Sequence, residues 1–279
     1  LYYGFVVAGM ALLVIARNSL LFLVGWEVMA LAAFLALSVE DQHQAVRDAG
    51  LTYLICTRAG TLAVIAVFAL LRLKTGSYSL EVSGLNASSG AATAIFLASL
   101  VGFGFKAGIM PLHIWLPGAH ANAPTHVSAL MSGVLIKMGI YGLCRMTSLF
   151  SNIPVWWGLL VLTLGVVSSL LGVAFALGQH DLKRLLAYHS VENIGIILLG
   201  LGVGLIGRAK GEPSLVLMGF GGALLHVINH GLFKALLFFG AGTVIHATGT
   251  RELERFGGLL RKLPLTAFTF LIGAAAISG

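Results

Sequence analysis

Within the apolar stretch LLHVINHGLFKALLFF, His226, His230 and Lys234 recur at intervals of four residues. On a helix such positions stack on one face, so the three side chains form a polar stripe. Imidazole titrates near neutral pH, and an amine taken out of water can be brought into the same range. The stripe is therefore suited to passing protons. His226 and His230 also have the spacing of helical metal ligands. Two ligands do not make a zinc site and the sequence marks no third, so no metal is assigned. A membrane enzyme with a histidine-bound metal remains the alternative from a different class.

Further ionisable residues, Glu27, Arg58, Lys106, Lys137 and Glu192, fall inside apolar runs. Each charge placed near mid-bilayer costs about 2.5–3.5 kcal/mol on insertion scales, and several such costs on one chain need a common reason. Glu27 lies too deep in its run to reach water easily, which favours a functional role. Arg58 either snorkels or pairs with a carboxylate. His113 and His120 either join the proton chemistry or hydrogen-bond backbone carbonyls nearby, and His189 and His246 read as residues of span ends. There is no CxxC cluster, no GxGxxG after a strand, no P-loop and no GxSxG, so no cofactor or hydrolytic site is expected. Cys56 and Cys144 are too few and too isolated for a disulfide framework.

The elements that must carry these residues are membrane helices. The 279 residues are 58% apolar and only 10% charged, with a mean hydropathy of +0.97. That excludes a soluble domain around one core. Apolar runs of about 17–25 residues suit helices rather than membrane strands. An all-α, polytopic transmembrane helix bundle follows, with about nine spans: roughly 1–16, 19–38, 45–71, 91–110, 126–148, 155–178, 183–206, 214–246 and 264–279. The penultimate run is longer than one span needs, and Gly231 is its expected weak point. Pro111, Pro117 and Pro124 cannot all sit in one unbroken helix, so the fourth run should be interrupted near Pro111, with Lys106 facing the bundle. Transporters place ion sites at such breaks. The net charge of +7 does not suggest nucleic acid, because the basic residues fall largely in short loops. Arg47, Lys183, Arg184, Arg251, Arg255, Arg261 and Lys262 lie on one side; Arg17, Arg72, Lys74, Arg145, Arg208 and Lys210 lie on the other. The first set is assigned to the cytoplasm. The chain opens without methionine and stops within an apolar run, and it is read as an internal segment of a longer protein.

LVGWEVMALAAFLAL, GFGFKAGIMPLHIWLPGAHANAPTHVSALMSGVLIKMGIYG, QHDLKRLLAYHSVENIGIILLGLG and LLHVINHGLFKALLFFGAGTVIHATGTRELERFGGL carry a family resemblance. Together they resemble the antiporter-like proton-channel subunits shared by complex I, Mrp cation/proton antiporters and membrane-bound hydrogenases. YHSVENIGIILLG and IHATGTRELERFGGL are most similar to the branch of hydrogenase-4 component B and formate hydrogenlyase subunit 3. The resemblance implies two inverted repeats of five helices, each with a broken helix: residues 1–148 for the first, and 155–279 for a second cut short at its C-terminal end. It makes Glu27 the essential carboxylate, Lys106 the lysine at the break and Lys137 the connection between half-channels. His226, His230 and Lys234 become the central polar row. Glu192 lies on the helix corresponding to that of Glu27, and a lysine beyond the chain is its expected partner. Gly118 stands where many relatives have an acidic residue.

The implied function is proton movement in a respiratory redox complex of hydrogenase-4 or formate hydrogenlyase type. A complex I (NADH-quinone oxidoreductase) subunit and an Mrp-type antiporter subunit are the alternatives. The implied partners are other membrane subunits, a peripheral redox module, lipid, and protons or Na⁺, in a prokaryotic cytoplasmic (inner) membrane. An ionised Glu27 close to Lys106 would act as the gate.

Overall fold

The computed structural model describes residues 1–278; Gly279, the last residue assigned to the second repeat, lies outside the described residues. Its helices are α1 (Tyr2–Ile15), α2 (Ser19–Leu37), α3 (Gln44–Thr75), α4 (Gly90–Ala107), α5 (Trp115–Asn122), α6 (Thr125–Leu130), α7 (Lys137–Ser148), α8 (Val155–Leu177), α9 (Leu182–Lys210), α10 (Pro213–Thr248), α11 (Leu259–Lys262) and α12 (Pro264–Ser278). A π-helical turn, Met131–Leu135, joins α6 to α7 and makes them one span. Seven spans are long and apolar enough to cross a membrane, while α1 and α12 are shorter apolar helices. The nine expected apolar runs are all helical, but two of them fall below membrane length. Large apolar side chains such as Leu62, Leu170, Leu217, Met218 and Leu232 point outward, as lipid-facing positions should.

Local chemistry sets the helix ends. The Asn18 side chain accepts a hydrogen bond from the Leu21 amide at 2.8 Å, and Asp181 accepts one from that of Arg184 at 2.9 Å, so α2 and α9 are capped. Gly76, Gly211 and Gly249 end α3, α9 and α10 in the left-handed region. Pro213 opens α10 at the position where a missing amide costs least.

The expected interruption is present. α4 stops at Ala107, Gly108 turns left-handed at φ 75°, and helix resumes only at Trp115. Pro117 sits within the first turn of α5, where its lost donor has no carbonyl to serve. By contrast, α10 runs as uninterrupted α-helix through Gly231. The expected weak point is instead a place of close approach: a Cβ on Gly231 would lie 3.2 Å from the Gly133 carbonyl oxygen of the π turn. Tight packing against that turn leaves no freedom for a bend.

The polar ends form two opposite faces, grouped as the basic residues were. On one, the Leu80 amide donates to the Arg17 carbonyl at 2.8 Å. There, β1 (Leu85–Asn86) also pairs in parallel with β2 (Phe150–Ser151), and the Arg208 guanidinium donates to the Phe150 carbonyl at 2.7 Å. On the other, Arg251 pairs with Asp181 at 2.6 Å and donates to the Ala121 carbonyl at 3.1 Å, tying the α10–α11 loop to the start of α9 and the end of α5.

Candidate functional site

Three lysines lie inside the bundle on three elements. Lys106 ends α4, Lys137 follows the π turn and Lys234 lies midway along α10; they are 2%, 5% and 0% exposed. None takes part in an ion pair among the described residues. Each is held by an oxygen instead. Lys106 donates to the Tyr53 hydroxyl at 3.2 Å, Lys137 to the Ser132 carbonyl at 2.5 Å and Lys234 to the Leu186 carbonyl at 2.5 Å. Aromatic faces complete the seats, since the Lys106 ammonium lies 5.7 Å from the Trp26 ring and 5.5 Å from that of Tyr53, and Lys234 lies 5.8 Å from Phe238. Cation–π attraction partly replaces lost hydration.

Glu27 is not in contact with Lys106. Its carboxylate accepts from Arg58 at 2.5 Å and from the Thr61 hydroxyl at 2.9 Å. A guanidinium outcompetes an ammonium here because α3 brings Arg58 and Thr61 to α2 one turn apart, and both fit the two carboxylate oxygens. The link to Lys106 is indirect. Trp26, whose ring faces the lysine, donates through Nε1 to Thr61 at 3.1 Å.

On the stripe of α10, His226 and His230 stack with ring centroids 6.3 Å apart. His226 Nε2 contacts Asn193 Oδ1 of α9 at 2.9 Å. The buried His230 has no hydrogen-bond partner on either nitrogen. Glu192 takes the neighbouring His189 as partner. His120 is buried and unpartnered, which rules out the carbonyl-binding reading for it, and its ring lies 5.8 Å from Phe238, the ring that Lys234 also faces.

His113 lines a cavity of about 480 Å³ on the broken-helix side, together with Asp48, Asn122, Asp181, Arg184 and Arg251. Trp115 borders that cavity too, and its ring lies edge-on to Tyr53 at 5.1 Å. Trp115 and Tyr53 thus connect the cavity wall to Lys106. Tyr53 and Lys183 are among the residues that escaped the sequence reading. Tyr53 gave no signal because a lone tyrosine in an apolar run is ordinary. Lys183 was counted with the loops, yet it is 5% exposed in the first turn of α9 and donates to the Ala123 carbonyl; its position beside the polar QHD disguised it. Among the described residues no group of three or more His, Cys, Asp or Glu side chains is placed to hold a metal ion.

With this geometry in hand, residues 16–279 match the family described as NADH:quinone oxidoreductase/Mrp antiporter, TM. The chain belongs to this family. Among its relatives, the antiporter-like subunit is 43% identical to hydrogenase-4 component B of Escherichia coli K12, over 98% of this chain and 41% of that protein. It is 40% identical to formate hydrogenlyase subunit 3 of the same organism, over 95% and 43%. It thus spans about two fifths of the length of these curated relatives. A chain in the structure of the membrane-bound sulfane sulfur reductase, an archaeal respiratory membrane complex, superposes with a TM-score of 0.85. That match has 30% identity and covers 99% of this chain and 45% of the other. The protein is an antiporter-like, multi-pass membrane subunit.

Proposed function

We propose that this segment moves protons as part of a respiratory membrane complex of hydrogenase-4 or formate hydrogenlyase type, in a prokaryotic cytoplasmic membrane. The observation that carries the reading is the set of buried lysines, each seated on an oxygen and none paired with a carboxylate. A buried amine locked to a carboxylate is held charged, whereas one resting on a neutral oxygen can bind and release a proton at modest cost. Protons enter from the broken-helix cavity past Trp115 and Tyr53 to Lys106, pass to Lys137, and continue along Lys234, His230 and His226. The identity to hydrogenase-4 component B supports the complex type.

Glu27 and Arg58 form the gate. While Arg58 holds the carboxylate, Lys106 is unsupported; when the pair parts, the carboxylate is free to favour the ammonium form. A contact of about 4 kcal/mol at an effective dielectric of about 20 matches the roughly 3.5 kcal/mol needed to move one charge against about 150 mV. The proposed repeats, 1–148 and 155–279, draw support from parallel packing: α1 lies on α2 as α8 lies on α9, and α3 on α4 as α10 on α12.

The test is proton uptake by vesicles containing the full-length subunit in its complex, driven by redox turnover. Lys106→Met, Lys137→Met and Lys234→Met should each assemble and abolish uptake. Normal uptake in all three rejects the reading. Uptake that needs Na⁺ in the absence of electron transfer would move the chain to the Mrp-type alternative, and turnover with NADH to the complex I alternative.

A further inference from the structure

Between Lys137 and Lys234 lie two hydroxyls that no sequence motif marked. Ser132, in the π turn, and Ser190, on α9, are both 0% exposed, and their Oγ atoms are 2.7 Å apart. Ser190 also donates to the Leu186 carbonyl at 3.1 Å. Its single proton is thereby used, so Ser132 is the donor within the pair and keeps its lone pairs open. At one end of this link, the Ser132 carbonyl accepts from Lys137; at the other, the Leu186 carbonyl accepts from Lys234 as well as from Ser190. Both amines are therefore anchored on the residues that carry or bind the hydroxyls. Carbonyl oxygens hold no exchangeable proton, but a hydroxyl both donates and accepts.

A serine bonded to the carbonyl four residues before it is common in helices and needs no function. That accounts for Ser190 alone. It does not account for a second buried hydroxyl, from a different element, joined to it and seated beside a lysine at each end. Two alanines would fill the same space without two polar groups to satisfy. The π turn is also the kind of local irregularity that recurs at functional sites.

We propose that Ser132 and Ser190 relay protons between Lys137 and Lys234, from which the histidine stripe carries them on. In the transfer, the Lys137 ammonium turns from the Ser132 carbonyl to give a proton to Ser132 Oγ, Ser132 passes its own to Ser190 Oγ, and Ser190 turns from the Leu186 carbonyl, which it shares with Lys234, to give its proton to the neutral Lys234 amine. Both serines end as neutral hydroxyls, Lys137 as an amine and Lys234 as an ammonium. The hydroxyls then rotate back before the next proton.

This inference rests on the reading of the two lysines as proton carriers, and the test separates the two. Ser132→Ala, Ser190→Ala, Ser190→Thr and the two lysine→Met variants are compared in the full-length subunit within its reconstituted complex, reading protons moved per electron pair, redox turnover and assembly. Each alanine variant should assemble and lower the proton ratio about tenfold, the scale of one lost hydrogen-bonded link, and the double alanine variant should be no worse than the weaker single. Ser190→Thr, which keeps the hydroxyl, should retain the ratio. If the lysine variants lose transport while both alanine variants transport normally, the relay is wrong and the lysine reading stands. Equal loss in Ser190→Ala and Ser190→Thr would also overturn the relay, since volume rather than the hydroxyl would then matter. Normal transport by the lysine variants would overturn both.

Discussion

Glu27 has a choice of cations within one bundle, and it takes the one whose geometry fits. Arg58 offers a planar fork on the adjacent helix, and Thr61, three residues on, adds a hydroxyl to the second oxygen. The pair thus acts as a unit. Glu27→Gln and Arg58→Gln should each lower coupled proton uptake by at least about tenfold, and the double variant should be no worse than the more damaged single, which vesicle assays will show. Glu27→Asp should be milder, since it keeps the charge. Purified protein should carry no stoichiometric zinc or iron; metal retained in the wild type and lost in His226→Ala would replace the proton row by a metal site. Glu27, Lys106, Lys137 and Lys234 could be picked from the sequence because a charge inside an apolar run is expensive and therefore conspicuous. Tyr53, Ser132 and Ser190 could not, since hydroxyls cost little in membrane helices. A carboxylate partner for Arg58 was one of two readings the sequence left open, and the structure supplies it; that the carboxylate is Glu27, expected beside Lys106, depends on which helix faces are adjacent, which the spacing within one run does not encode.

At the level of elements, the break after α4 was legible because three prolines leave a helix no way through. Gly108 completes it. A Cβ there would meet Leu116 Cδ1 at 2.4 Å, on a backbone with φ 75°. Gly108→Ala should therefore cost about 1–2 kcal/mol, read as a lower unfolding temperature of the purified subunit, with the larger loss near α5 in hydrogen exchange. The π turn before Lys137 has no such signature: MSGVL contains no proline, and the surface of α10 that packs against the turn is not visible in the sequence. The unbroken course of α10 was misjudged for a related reason, since a glycine reads as flexible until the surface packed against it is known.

For the whole molecule, the two polar faces predict sidedness. In a background with Cys56 and Cys144 replaced by serine, Gln179→Cys should react with an impermeant maleimide only from the cytoplasm, and Ser88→Cys only from outside. The reverse pattern would invert the orientation. The basic residues alone gave this assignment a narrow margin, because both faces carry many of them. The pairing of α8 with α9 bears on motion. Cβ atoms placed on Gly158, Gly165 and Gly172 of α8, or on Gly195 and Gly202 of α9, would come within 2.9 Å of the opposite helix. At such spacing neither helix can slide by a turn past the other without collisions along its whole length. α9 is therefore a fixed wall, and it holds Ser190, Asn193 and Lys183 at constant height. Cβ atoms on Gly204 or Gly207 of α9 would likewise come within 2.8 Å of α10, so what rearranges along this wall during turnover is the side chains themselves.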